Sequence, residues 1–279
     1  MHPYRGRIAS LATRHGKLGA VAPVFHAEVG LAVVGVDVDT DSLGTFLGDR
    51  PREGTQRETA VAKARLGMAE SGHPLGLATE ASFGPLAGNP FVNACLELVV
   101  LVDDELGIVI AEHDVSYAVP AISVLIRDGD PESVPLEAAG FPQHGLIVRP
   151  DEGFRPAFKG LHDIDELHAA IRACTEASPS STVVVESDLR AHHSPIRLQV
   201  IARAAQKLAS RVATVCRDCG APGWGVLGRV PGAPCRHCGE TTGIARSETS
   251  GCARCDAQIT RDLPEAAGVD PRHCPSCNP

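Results

Sequence analysis

Four Cys-x-x-Cys pairs crowd the last quarter of the chain: Cys216/Cys219, Cys235/Cys238, Cys252/Cys255 and Cys274/Cys277. A two-residue spacer lets one tight turn offer two sulfur ligands, and zinc takes four of them in a tetrahedron. Fifteen residues lie between Cys219 and Cys235, and eighteen between Cys255 and Cys274. Both spacings suit a zinc ribbon. Residues 213–279 are therefore expected to form a double zinc ribbon with two structural zinc ions. All eight cysteines serve as ligands and no coordination position stays open. Sequential pairing follows from these spacers, first pair with second and third with fourth. An interleaved arrangement, first with third and second with fourth, stays open. Gly220 and Gly239 follow two of the pairs, where left-handed backbone turns amides toward sulfur. Asn278 is expected to do the same after Cys277.

The other two of the ten cysteines, Cys95 and Cys174, stand in apolar surroundings as core thiols. Met1–Arg7 does not have the shape of an export signal. Clustered pairs then read as metal ligands in a reducing compartment, and a cytoplasmic location is expected. No apolar run reaches the roughly 18–20 residues that a bilayer span needs. A net charge of −8 and 4 % aromatic residues argue against nucleic-acid binding. The tail carries seven arginines and seven acids, and eight thiolates on two divalent ions leave four further negative charges. Its contact, if it has one, is expected to be a protein. Trp224, the single tryptophan, is expected to pack on the ribbon.

Residues 1–212 read as an α/β domain with one mixed sheet flanked by helices. Strands are expected at Ile8–Thr13, Leu31–Val38, Leu75–Ala81, Ala121–Arg127, Gly145–Arg149 and Thr182–Glu186, with a hairpin at Leu96–Asp103 and Gly107–His113. Leu31–Val38 reads as buried on both faces. Helices are expected at Ala20–Val29, Thr55–Ala69, Asp163–Ala177 and from Ser194-Pro195 to Arg211. Ile164, Leu167, His168 and Ile171 recur at core spacing, and Gly44–Gly54 reads as a loop. Asp37-x-Asp39-x-Asp41 lacks the glycine and glutamate of a calcium loop.

Three stretches carry possible phosphate chemistry. Thr13-x-x-x-Lys17 sits where a strand meets a helix N-terminus, a natural anion site. Glu58-Thr59 and Lys63-Ala64 follow on a helix, and Glu80 and Ser82 stand at the end of a strand. Two carboxylates beside lysines could hold Mg²⁺ against a polyphosphate.

In this order, Thr13 to Pro85 resembles the inosine/xanthosine triphosphate pyrophosphatase superfamily. The resemblance implies that Thr13 and Lys17 bind phosphates, while Glu58 and Glu80 hold Mg²⁺ and orient water. Lys17, Glu58 and Glu80 form the expected catalytic set. It further implies release of pyrophosphate or phosphate from a nucleoside triphosphate. Arg14-His15 replaces the family's Asn, and Ser82-Phe83-Gly84-Pro85 replaces its acidic glycine motif.

A second polar cluster, with Asp188, Arg190, His192, His193 and Arg197, opens the last helix and loosely echoes that superfamily's base-recognition segment. Lys63, Ser82, Asp188, Arg190, His192 and Arg197 complete the expected ligand-binding set. The whole chain, tail included, resembles a bacterial family of unknown function. The expectation is a Mg²⁺-dependent hydrolase-like domain acting on a nucleoside triphosphate or related phosphate compound. Its alternative is a non-enzymatic nucleotide-sensing or protein-binding adaptor that uses the ribbons as its contact.

Overall fold

The computed structural model describes residues 1–14, 16–44, 52–86, 89–153 and 155–279. Residues 45–51 of the expected Gly44–Gly54 loop and His15 lie outside the described residues.

Chain order begins β1 (Ile8–Ala12), α1 (Leu18–Val29), β2 (Ala32–Val36), α2 (Gln56–Ser71), β3 (Leu75–Leu86), β4 (Asn89–Asp103) and β5 (Ile108–Ser116). These strands form one mixed sheet, ordered β2-β1-β3-β4-β5. β1 runs parallel to both β2 and β3, whereas β3, β4 and β5 are antiparallel neighbours. The chain thus leaves β1 toward one side through α1 and returns on its other side after α2. That reversal beside β1 is a topological switch point, where open α/β sheets bind ligands.

The helices sandwich this sheet. Val21, Phe25 and Val29 of α1 are buried against Leu11, Leu77, Val99 and Leu101. Ala60, Ala64 and Met68 of α2 pack with Ala78, Val100 and Val102 in a separate apolar cluster. Gly76 makes that approach close: a Cβ there would stand 2.5 Å from Met68 Cγ and 2.9 Å from the Ala64 carbonyl. β2 differs from expectation. It lies at the sheet edge, and three of its five residues are exposed.

A second sheet also differs from the single sheet expected. β6 (Ser123–Arg127), β7 (Leu146–Pro150), β8 (Phe158–Leu161) and β9 (Thr182–Ser187) pair antiparallel in the order β6-β9-β7-β8. The short α3 (Leu136–Ala139) precedes β7, and α4 (Ile164–Ala177) covers the sheet. Leu167, Ala170, Ile171 and Cys174 of α4 are buried with Val148, Val183 and Val185. Ile164 is exposed and His168 half-buried, so the core stripe is narrower than its spacing suggests. Apolar strand patterns identify strands but not their partners. Here they build a second lobe, residues 122–194, with its own core.

α5 (Pro195–Ala213) returns to the first lobe and packs beside α1, burying Ile201, Ala205, Leu208 and Val212. Pro195 fills its first turn. The tail then forms a three-stranded sheet, β10 (Gly225–Pro231), β11 (Ala245–Gly251) and β12 (Gln258–Asp262), antiparallel in sequence order. Among the described residues, no helix is long and apolar enough to cross a membrane.

Replacing Gly76 by Ala should cost about 1–3 kcal/mol, because Met68 and the α2 backbone must move. Urea denaturation measures it; an unchanged midpoint would mean that α2 is not seated on β3 at that spacing.

Candidate functional site

The eight tail cysteines form two groups of four whose sulfurs lie within 4.8 Å of one another. One is Cys216, Cys219, Cys252 and Cys255; the other is Cys235, Cys238, Cys274 and Cys277. The pairing is therefore interleaved, which corrects the sequential expectation. The reason lies in the sheet. Hydrogen bonding of β11 to both β10 and β12 brings the third pair back beside the first. A parallel bridge from Cys235 to Val269 likewise brings the fourth beside the second.

Donor chemistry and geometry both fit zinc. Sulfur separations are 3.8 Å (Cys216–Cys255) and 3.6 Å (Cys219–Cys252) in one group, and 3.9 Å (Cys235–Cys277) and 3.6 Å (Cys238–Cys274) in the other. A tetrahedron with Zn–S near 2.3 Å has edges of about 3.8 Å. A disulfide would need about 2.05 Å. Backbone amides reach the sulfurs, with His237 N–H donating to Cys235 and Arg254 N–H to Cys252. Gly220 (φ 70°) and Gly239 (φ 76°) take the left-handed conformation. Asn278 does not, although its N–H donates to the Cys274 carbonyl. Each group could hold one zinc ion with no ligand position open. Trp224 is half-buried against Cys216, Ala221 and Cys252, as expected.

Cys95 and Cys174 are buried, and burial pushes their thiols up to about 12 and about 11. Neither ionises at neutral pH.

A different site opens in the first lobe. β1 stops at Ala12, while β3, in register Ser10↔Gly76, continues past it. Thr79 to Phe83 thus wall a cleft of about 300 Å³ over the end of β1. Thr13, Arg14, Lys17, Arg52, Lys63, Glu80, Ser82, Arg190 and Arg197 also line it. Six cations therefore face one carboxylate in a chain of net charge −8.

Five of these cations are held by acids. Arg14 pairs with Asp37 and Asp39, and Arg52 and Lys63 with the two oxygens of Glu80 at 2.8 and 2.7 Å. Arg190 pairs with Asp188, and Arg197 with fully buried Glu97. The Lys17 amine has no hydrogen bond or ion pair among the described residues. Lys17 is the N-cap of α1, and no side chain caps the first-turn amides. Burial, reinforced by the Arg197 charge, lowers its amine to about 8. In the same cleft, Thr79 is buried and its hydroxyl lacks a partner among the described residues.

Thr13, Lys17, Lys63, Glu80, Ser82, Arg190 and Arg197 thus line one cleft. Asp188 sits behind Arg190, and His192 lies beside Gly16, neither lining the cleft. Glu58 is the departure. It is exposed and closes a capping box with Thr55, accepting the Thr55 N–H at 2.7 Å. Glu58 and Glu80 are not brought together into a magnesium site: Glu80 lines the cleft with both oxygens on cations, and Glu58 does not line it. Arg52, Thr79 and Glu97 escaped the sequence reading. Glu97 had a signal, a lone charge inside the apolar run from Cys95 to Val102.

The family described as a domain of unknown function (DUF6671) matches residues 63–279, and the chain belongs to it. The match takes in all eight tail cysteines with Lys63, Glu80, Arg190 and Arg197, and begins after Lys17. No curated protein matches the chain.

A Cys216→Ser/Cys252→Ser chain should retain one of two zinc ions by elemental analysis, because both changes fall in one group; sequential pairing would leave none. Lys17→Met should raise stability at pH 7 by about 3 kcal/mol. The folded amine titrates near 8 and the unfolded one near 10.5, so the folded state binds fewer protons between them. Wild-type stability therefore rises through that window and the mutant's advantage shrinks; pH-resolved melting checks both.

Proposed function

We propose that the first-lobe cleft binds a small phosphate compound of the nucleoside triphosphate class. Lys17 carries this reading. A lysine with no counter-ion among the described residues, partly withdrawn from water, is electrostatically costly until an anion joins it. The uncapped first turn of α1 adds backbone donors and a positive dipole end at the same place. The resemblance to the inosine/xanthosine triphosphate pyrophosphatase superfamily supports a nucleotide as the compound's class.

Binding is favoured over Mg²⁺-dependent hydrolysis, because Glu58 stands outside the cleft and Glu80 is neutralised by Arg52 and Lys63. In this reading the chain is a nucleotide-sensing protein whose zinc tail serves as a protein contact. Thr13 and Ser82 would supply hydroxyl contacts, and Lys17, Lys63, Arg190 and Arg197 the charge.

Calorimetry with ITP, XTP, ATP, GTP and tripolyphosphate tests it. At pH 7 the lysine is mostly charged, and one unit above its pKa about a tenth remains so. Affinity should fall about tenfold between pH 7 and 9, although the phosphates stay ionised. Lys17→Met should bind weakly at both pH values. Absence of any binding would sink the proposal, and rapid Mg²⁺-dependent turnover would return hydrolysis to the lead.

A further inference from the structure

Asp188 ends the second lobe's central strand region almost completely buried, at 1 % exposure. Its N–H donates to the Gly145 carbonyl at 2.7 Å, which pins it beside the start of β7. The carboxylate accepts four hydrogen bonds from one residue. The Arg190 backbone N–H reaches Oδ1 at 3.1 Å, Arg190 Nε reaches Oδ1 at 2.9 Å and Oδ2 at 3.2 Å, and Nη2 reaches Oδ2 at 2.5 Å. The guanidinium is thus gripped along one edge in a fixed fork. Its Nη1 has no partner among the described residues, while the side chain lines the cleft.

Space for this loop comes from two glycines. A Cβ at Gly160 would stand 2.6 Å from the His193 ring, and one at Gly145 would stand 3.1 Å from His193 Cβ. His193 fits there with Nε2 4.0 Å from Asp188.

Arg190 is the cleft cation from the second lobe, whereas Arg14, Lys17, Arg52 and Lys63 belong to the first. We infer that Asp188 is a positioning residue that presents Arg190 Nη1 from the second lobe into the cleft that Lys17 also lines. This rests on reading the cleft as a phosphate site. Among the described residues the Lys17 amine and Arg190 Nη1 are two cationic donors without partners, carried on different lobes, and a chain of phosphates offers an oxygen to each.

Full-length zinc-loaded protein is titrated with orthophosphate and with tripolyphosphate. Wild type should prefer tripolyphosphate by about tenfold or more, as expected for one added charge-assisted fork. That ratio should collapse toward one in Asp188→Asn and in Arg190→Gln, whereas Lys17→Met should weaken both anions. Arg190 is partly exposed whereas Asp188 is buried, so Arg190→Gln decides the matter if Asp188→Asn melts early. An unchanged ratio in Arg190→Gln, or an equal loss of both anions in Asp188→Asn, overturns the inference and leaves the cleft reading intact. If wild type binds neither anion, the cleft reading falls and the inference falls with it.

Discussion

A buried ion pair joins the parts of this molecule. Glu97 on β4 is fully buried and accepts from Arg197 Nε, while Arg197 Nη1 donates to the Leu189 carbonyl. One guanidinium thereby ties the first lobe's sheet to the end of the second lobe, and it still lines the cleft. Such pairs are weak as sources of stability, since desolvation offsets most of the attraction. Breaking one is different, because the partner is left charged and buried. Glu97 Oε2 has no partner among the described residues, which deepens that dependence. The same helix carries the constraint onward. Arg211 near its other end binds Glu112 on β5 and the Gly223 carbonyl, and Cys216 follows within one turn. Ala253, between Cys252 and Cys255, packs on the first lobe's core. The first zinc group is therefore seated against the lobe.

The cleft gains its character from an imbalance. Most of its cations are neutralised by carboxylates placed behind or beside them, which orients them at little net charge. Among the described residues Lys17 is exempt, and the topology puts it at the switch point beside β1. A cation kept free there is a stability cost that a binding site has reason to retain. In the tail the logic is opposite. Each group offers four thiolates that would close the site around an ion, and interleaving makes each group span half of the other.

Much of this was legible in the sequence. Cys-x-x-Cys spacing identified all eight sulfur donors, because two ligands from one turn is a local property. Their partition was not legible, since it depends on which strands pair. The same limit explains the second lobe: the apolar run Val183-Val184-Val185 reads as a strand, yet nothing local says that it joins β6 and β7 rather than the first sheet. Lys17, Glu80 and Arg197 were found because strand ends and helix starts are local signals. Glu58 misled because a capping box and a metal ligand present the same residue in the same place, and only the fold shows which hydrogen bond it makes.

Chain composition makes the central claim directly measurable. Only four lysines are present, Lys17, Lys63, Lys159 and Lys207, so their side-chain NMR signals can be assigned by single substitutions. Titration should show the Lys17 amine ionising near 8 in the free protein, and at a clearly higher pH once tripolyphosphate is bound. A Lys17 amine that titrates like an exposed lysine near 10.4, or one indifferent to the added anion, would contradict the account.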